Sequence, residues 1–163
     1  MRTALPKGLV RVNLNVLKRR ESRFDFLILE TEASSDSEVV RQSLRYYEQL
    51  VQDALHNIKL KATIGTETYW VTVGQFADNP MGTYEFERRT LILHERSVER
   101  LKGLCAALQT PDSSEVVRAA LRYYAYLVEK SLLGAIFFAE LPSGEIYQVR
   151  LGLSVQPPNR GLI

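Results

Sequence analysis

Apolar and polar residues alternate one for one from Val10 through Arg11, Val12, Asn13, Leu14 and Asn15 to Val16. That period of two predicts a strand over 9–17 with one face exposed. The period then changes. Phe24, Leu27, Ile28 and Thr31 fall at i, i+3, i+4 and i+7, which predicts a helix over 21–32. A turn through Ala33-Ser34-Ser35-Asp36 leads to a second helix over 36–56. Ser35 and Glu38 have the S-x-x-E spacing of a capping box, in which the hydroxyl takes the N3 amide and the glutamate reaches back to the cap amide. Val40, Leu44, Tyr47 and Val51 share one side of this helix, with Val39, Tyr46 and Leu50 adjoining. So wide an apolar sector predicts burial against more than one neighbour. Alternation returns over 58–64, a turn follows at Gly65-Thr66-Glu67, and 69–73 completes a hairpin.

The whole pattern then recurs 77 residues on. Residues 37–51 read SEVVRQSLRYYEQLV and residues 114–128 read SEVVRAALRYYAYLV, identical at eleven of fifteen positions. Such self-similarity marks an internal duplication. Leu101, Leu104, Cys105 and Leu108 match the first helix face, and 88–93 matches the first strand. Asp112 with Glu115 stands where the first capping box stands, and Pro111 ends the preceding helix. The second hairpin reads 136–141, Pro142-Ser143-Gly144, then 146–153. Its apolar faces disagree with the first hairpin past the turn, so one hairpin is expected a residue out of step. Residues 74–84, with a loop at 79–82, read as the linker, and 154–163 as a poorly ordered tail. The chain divides into 1–78 and 79–163, each strand, helix, turn, helix and hairpin.

Composition narrows the class. Of 163 residues, 45% are hydrophobic and 25% charged, ordinary values for a globular domain. No apolar run is long enough for a membrane span, and residues 1–20 lack the apolar stretch of a signal peptide, so a cytoplasmic protein is expected. One cysteine cannot make an internal disulfide, and one cysteine with two scattered histidines has no zinc spacing, so neither a metal nor a cofactor is expected. Net charge is +2, unevenly placed. Residues 1–23 hold Arg2, Lys7, Arg11, Lys18, Arg19, Arg20 and Arg23 against Glu21, a balance of +6, so the remainder carries −4. That fits either an anionic partner or a solvated basic arm.

A lone strand, a short helix, a tight turn and a capped S-E-V-V-R-x-x-L-R-Y-Y helix resemble the ribbon-helix-helix family, the Arc and methionine-repressor type of β-ribbon DNA reader. The match covers about 45 residues of each half. The resemblance implies an α+β fold of two tandem ribbon-helix-helix units, each followed by a β-hairpin. Their strands would pair antiparallel within one chain as an intramolecular pseudo-dimer. It also implies sequence-specific binding of double-stranded DNA by a ribbon in the major groove, as a transcriptional repressor or a plasmid or phage accessory factor.

Two-residue periodicity turns Val12, Leu14, Val16, Leu91 and Leu93 inward and Arg11, Asn13, Asn15, Arg88, Thr90 and Ile92 outward. In the family context the outward set are the expected base readers; arginine suits guanine and asparagine adenine, while Ile92 offers only apolar contact. Family members also hold phosphates at the start of the second helix. The matching positions are Ser35, Asp36 and Ser37, then Asp112, Ser113 and Ser114, with Lys18, Arg19, Arg20 and Arg23 near the backbone. The aspartates depart from that pattern because a carboxylate repels phosphate. The competing reading is a module of this fold that has lost DNA binding and uses its hairpins for a protein partner, as an antitoxin or scaffold. A homo-oligomer of the chain on DNA is a further expected partner arrangement.

The remaining features are expected to be structural. Tyr46-Tyr47 and Tyr123-Tyr124 recur at one offset, Cys105 lies on an inward helix face, and Trp70, in a hairpin, is expected in the core, with a partner anchor as the alternative. Arg45 and Arg122 are expected in ion pairs or against the other half, with DNA contact as the alternative. His56 and His94 have no partner motif. No catalytic arrangement or nucleotide-binding glycine motif is present, so no enzyme is expected.

Overall fold

The computed structural model describes residues 5–17 and 21–153. Lys18, Arg19 and Arg20, and the tail 154–163, lie outside the described residues. The first half runs β1 (Leu9–Leu17), α1 (Glu21–Thr31), α2 (Asp36–Leu55), β2 (Lys59–Ile64) and β3 (Glu67–Val71). A 3-10 turn at Val73–Phe76 follows. The second half runs β4 (Phe86–His94), α3 (Glu95–Ala107), α4 (Ser113–Leu132), β5 (Ile136–Glu140) and β6 (Ile146–Val149). The architecture is α+β.

Both sheets draw strands from both halves. β1 pairs antiparallel with β4, and a four-stranded sheet has the order β3-β2-β5-β6. The registers share one centre of symmetry. Asn13 faces Thr90, its own counterpart at the offset of 77, and Lys61 faces Phe138, again its own counterpart. Two strands exchanged by a twofold axis pair in this way. The tyrosines obey the same exchange: Tyr46 stacks on Tyr124 at 5.4 Å between ring centres, and Tyr47 meets Tyr123 at 6.2 Å.

The core lies between the two sheets and is built chiefly by α2 against α4. Val39, Val40, Leu44, Val117, Leu127 and Val128 are completely shielded, each side chain worth about 1.5–3 kcal/mol of apolar burial. Burial holds the Tyr47 phenol up at about 12 and raises Tyr123 further.

The hairpins differ by one residue. In the first, Ile64 faces Glu67 across a two-residue Gly65-Thr66 turn, with Gly65 at φ +59°. In the second, Glu140 faces Ile146 and the Leu141 amide donates to the Glu145 carbonyl at 2.8 Å, leaving Pro142-Ser143-Gly144 as a three-residue loop. Strand β6 stops at Val149, short of the expected 153.

Both capping boxes need correction. Ser35 does accept from the Glu38 amide, at 3.2 Å, but Glu38 turns back to Ser34, taking its amide at 2.7 Å and its hydroxyl at 2.6 Å. Ser34, one residue further out, offers two donors where the cap amide offers one. In the second half Asp112 accepts from the Ser114 amide at 3.0 Å, and Glu115 accepts from the Thr110 hydroxyl at 3.1 Å. The helix ends repeat better than the starts. Glu32 at φ +58° and Gln109 at φ +54° occupy equivalent left-handed positions, as do Asn57 at φ +57° and Gly134 at φ +84°.

Trp70 is not a core residue: it is 51% exposed. Alternation along β3 sends Val71 inward and Trp70 to the outer sheet face, where the Lys59 and Lys61 ammonium groups lie 5.8 and 5.7 Å from its ring centre.

Candidate nucleic-acid interface

The β1–β4 ribbon has one apolar and one polar face. Leu14, Val16, Leu91 and Leu93 are buried and Val12 is half-buried, while Arg11, Asn13, Asn15, Arg88, Thr90 and Ile92 are all exposed. Strict alternation over nine paired residues brings these six side chains onto one surface. The central pair is already engaged: the Thr90 hydroxyl donates to the Asn13 side-chain oxygen at 2.6 Å. That oxygen keeps a second lone pair, and the asparagine keeps both amide protons.

Helix α4 clamps one ribbon edge. The Asn15 amide donates to the Ser114 hydroxyl at 2.9 Å, and the Arg118 guanidinium donates to the Asn15 carbonyl at 2.8 Å. Ser114 is therefore buried beneath the ribbon with its hydroxyl occupied. Ser113 is half-buried beside Cys105, its hydroxyl 3.8 Å from that sulfur. Ser35 is exposed at the start of α2, and Ser37 is half-buried at the first-half ribbon edge. Both helix starts carry acid. Asp36 is ion-paired with Arg89, which also holds Glu87 at 3.0 Å. Asp112 lies 3.7 Å from Arg118.

The linker is more than a connection. Phe76 is buried against Tyr123 and Tyr126. Asp78 accepts from Arg118 at 2.9 Å and from Arg122 at 2.6 Å. Arg118 is only 7% exposed, and the Phe86 ring lies 4.6 Å from its guanidinium carbon. Burial pushes the Asp78 carboxyl up, but hydrogen bonds and charge from Arg118 and Arg122 outweigh it and hold the group below the usual aspartate range. Arg122 also donates to the Phe76 carbonyl at 3.1 Å. Its counterpart Arg45 lies instead over the Tyr46 ring, 5.1 Å from the centroid.

Sequence reasoning singled out neither Arg118 nor Asp78. Arg118 had a signal, since it recurs as Arg41 inside the duplicated block. Asp78 had none, because it falls in the linker, which repeats nothing. His94 caps the start of α3 and His56 the end of α2. Among the described residues no helix is long and apolar enough to cross a membrane, and no group of three or more His, Cys, Asp or Glu side chains could hold a metal ion.

No protein-family model, curated protein or solved structure matches the chain.

Proposed function

We propose that this chain is a tandem ribbon-helix-helix protein, a single-chain pseudo-dimer that binds double-stranded DNA by laying the β1–β4 ribbon in the major groove. It would act as a transcriptional repressor or as a plasmid or phage accessory factor. The observation that carries this reading is the ribbon itself. Its register is centred on Asn13 and Thr90, its apolar face is covered by helices, and its polar face is solvent-exposed. A two-stranded ribbon fits the major groove, where arginine and asparagine can distinguish base pairs. Lys18, Arg19 and Arg20 would add sequence-independent attraction to phosphate.

One specific observation favours the second reading, a protein-interaction module of the same fold. Carboxylates stand at both helix starts nearest the ribbon, Asp36 and Asp112, and Trp70 is half exposed on the outer hairpin face. A mobility-shift experiment with random duplex DNA at low salt separates the two. Binding that weakens steeply with salt is expected; absence of any shift would remove the DNA reading in favour of the interaction module.

A further inference from the structure

The duplication supplies an internal template for an anion site that only one half leaves open. At the offset of 77, Arg118, Arg122, Ser114 and Asn15 correspond to Arg41, Arg45, Ser37 and Ile92. In the second half the ribbon edge beside Arg118 is closed. The linker carboxylate of Asp78 sits on Arg118 and Arg122, and Asp112 lies 3.7 Å from the same guanidinium. In the first half the corresponding place is an open notch of about 400 Å³, lined by Ser37, Glu38, Arg41, Ile92 and Leu93.

Arg41 has donors to spare. Its side chain is 47% exposed, and its one ion pair among the described residues is a 3.8 Å contact with Glu38. The other oxygen of Glu38 is held by the Ser34 amide and hydroxyl at 2.7 and 2.6 Å, so only one oxygen of that carboxylate is left to Arg41. A guanidinium carries five N–H donors in a planar fork that suits carboxylate and phosphate alike. The contacts of Asp78 with Arg118 thus display what the open notch can do.

We propose that the Arg41 notch binds one backbone phosphate of the DNA, and that Asp78 fills the equivalent site of the second half as a built-in anion. The inference rests on the DNA-binding reading. It makes backbone contact one-sided: the first half holds a phosphate beside its ribbon edge, and the second half presents two carboxylates there. The ligand class is a phosphodiester oxyanion at the groove edge, close to where Ile92 meets the bases.

The test is the salt dependence of duplex binding for the full chain, Arg41→Gln and Asp78→Asn, by fluorescence anisotropy between roughly 50 and 200 mM salt. One phosphate contact contributes a slope of about 0.9, so its loss reduces the fall in affinity over this range by about 3.5-fold. Arg41→Gln should show that reduction. Asp78→Asn, which frees Arg118 and Arg122, should steepen the fall by up to the same factor. An unchanged salt response in Arg41→Gln overturns the notch. An unchanged or shallower response in Asp78→Asn, with its melt showing a folded protein, overturns the plug. Should Asp78→Asn fail to fold, Arg41→Gln decides alone, because its side chain is exposed. A wild-type chain that binds no duplex at low salt fails the DNA reading itself and this inference with it, an outcome distinct from binding with unaltered slopes.

Discussion

Asp78→Ala is the most informative stability perturbation. The substitution removes a carboxylate that accepts from Arg118 at 2.9 Å and from Arg122 at 2.6 Å. With Asp78 in place Arg118 is 7% exposed and Arg122 is 16% exposed. Deleting one partner of a buried ion pair costs about 3–5 kcal/mol. Two features lower that figure here: Asp78 is itself 21% exposed, and Arg118 keeps the Asn15 carbonyl and a 3.7 Å contact with Asp112. The expected loss is about 3 kcal/mol, or about 6–12 °C in Tm for a chain of this size. Urea and thermal melts followed by circular dichroism read it directly. Asp78→Asn, which retains one hydrogen-bonding oxygen, should lose less. The pH dependence has a defined sign. A carboxyl held below its unfolded value contributes stability above about pH 4, and that contribution disappears as pH falls through the folded value. Wild type should therefore lose an acid-sensitive component that Asp78→Asn lacks. A loss under about 1 kcal/mol in Asp78→Ala, or identical acid limbs in wild type and Asp78→Asn, would refute the buried-pair argument.

Three further outcomes are expected. Glu32→Gly and Gln109→Gly relieve left-handed backbone at equivalent helix ends and should each stabilise by about 1 kcal/mol in urea melts; destabilisation by both would contradict the assigned conformation. The Tyr47 phenol is raised by burial to about 12, so stability present at neutral pH should decline as pH climbs from about 10 toward 12, and Tyr47→Phe should blunt that decline in alkaline melts. On a selected DNA site, Asn13→Ala should cost about 1–3 kcal/mol and relax preference at one base pair, with a smaller loss for Thr90→Ala; equal losses, or a perfectly palindromic selected site, would count against unequal half-sites.

The elements and the ribbon faces were legible in the sequence because they rest on periodicity. Alternation from Val10 to Val16 separated Leu14 and Val16 from Asn13 and Asn15, and burial follows the same division. The duplicated block located the two long helices and their tyrosines. The one-residue hairpin difference was legible from the apolar faces past the turns. Trp70 was misread because an unusually large aromatic stood at an outward position of a short strand. Glu38 was misread because a capping-box spacing does not say which of two adjacent amides a glutamate will reach. Asp78 was illegible for a deeper reason: its partners, 40 and 44 residues on, are fixed by tertiary folding alone.

The asymmetry of the molecule follows from how the halves are joined. β3 belongs to the four-stranded sheet and meets the carboxyl end of α4, where Lys130 lies over the Tyr69 ring, whereas β4 begins in the ribbon with Phe86 against Arg118, nearer the amino end of that helix. At 1.5 Å per residue α4 is about 30 Å long, and residues 72–85 reach at most roughly 50 Å when extended. The linker must therefore pass along a helix with limited slack. It passes along α4: Phe76 touches Tyr126 and Tyr123, Asp78 meets Arg122 and Arg118, and Phe86 reaches Arg118. These contacts descend the helix in order from its carboxyl end. No equivalent connection is required along α2, whose Arg41 faces solvent. Fusion of two like units thus imposes different surroundings on the same arginine, once buried under a carboxylate and once open at the ribbon edge. The ribbon-edge residues beside these two arginines differ as well: the Asn15 carbonyl accepts from Arg118, whereas Ile92 lines the notch with Arg41.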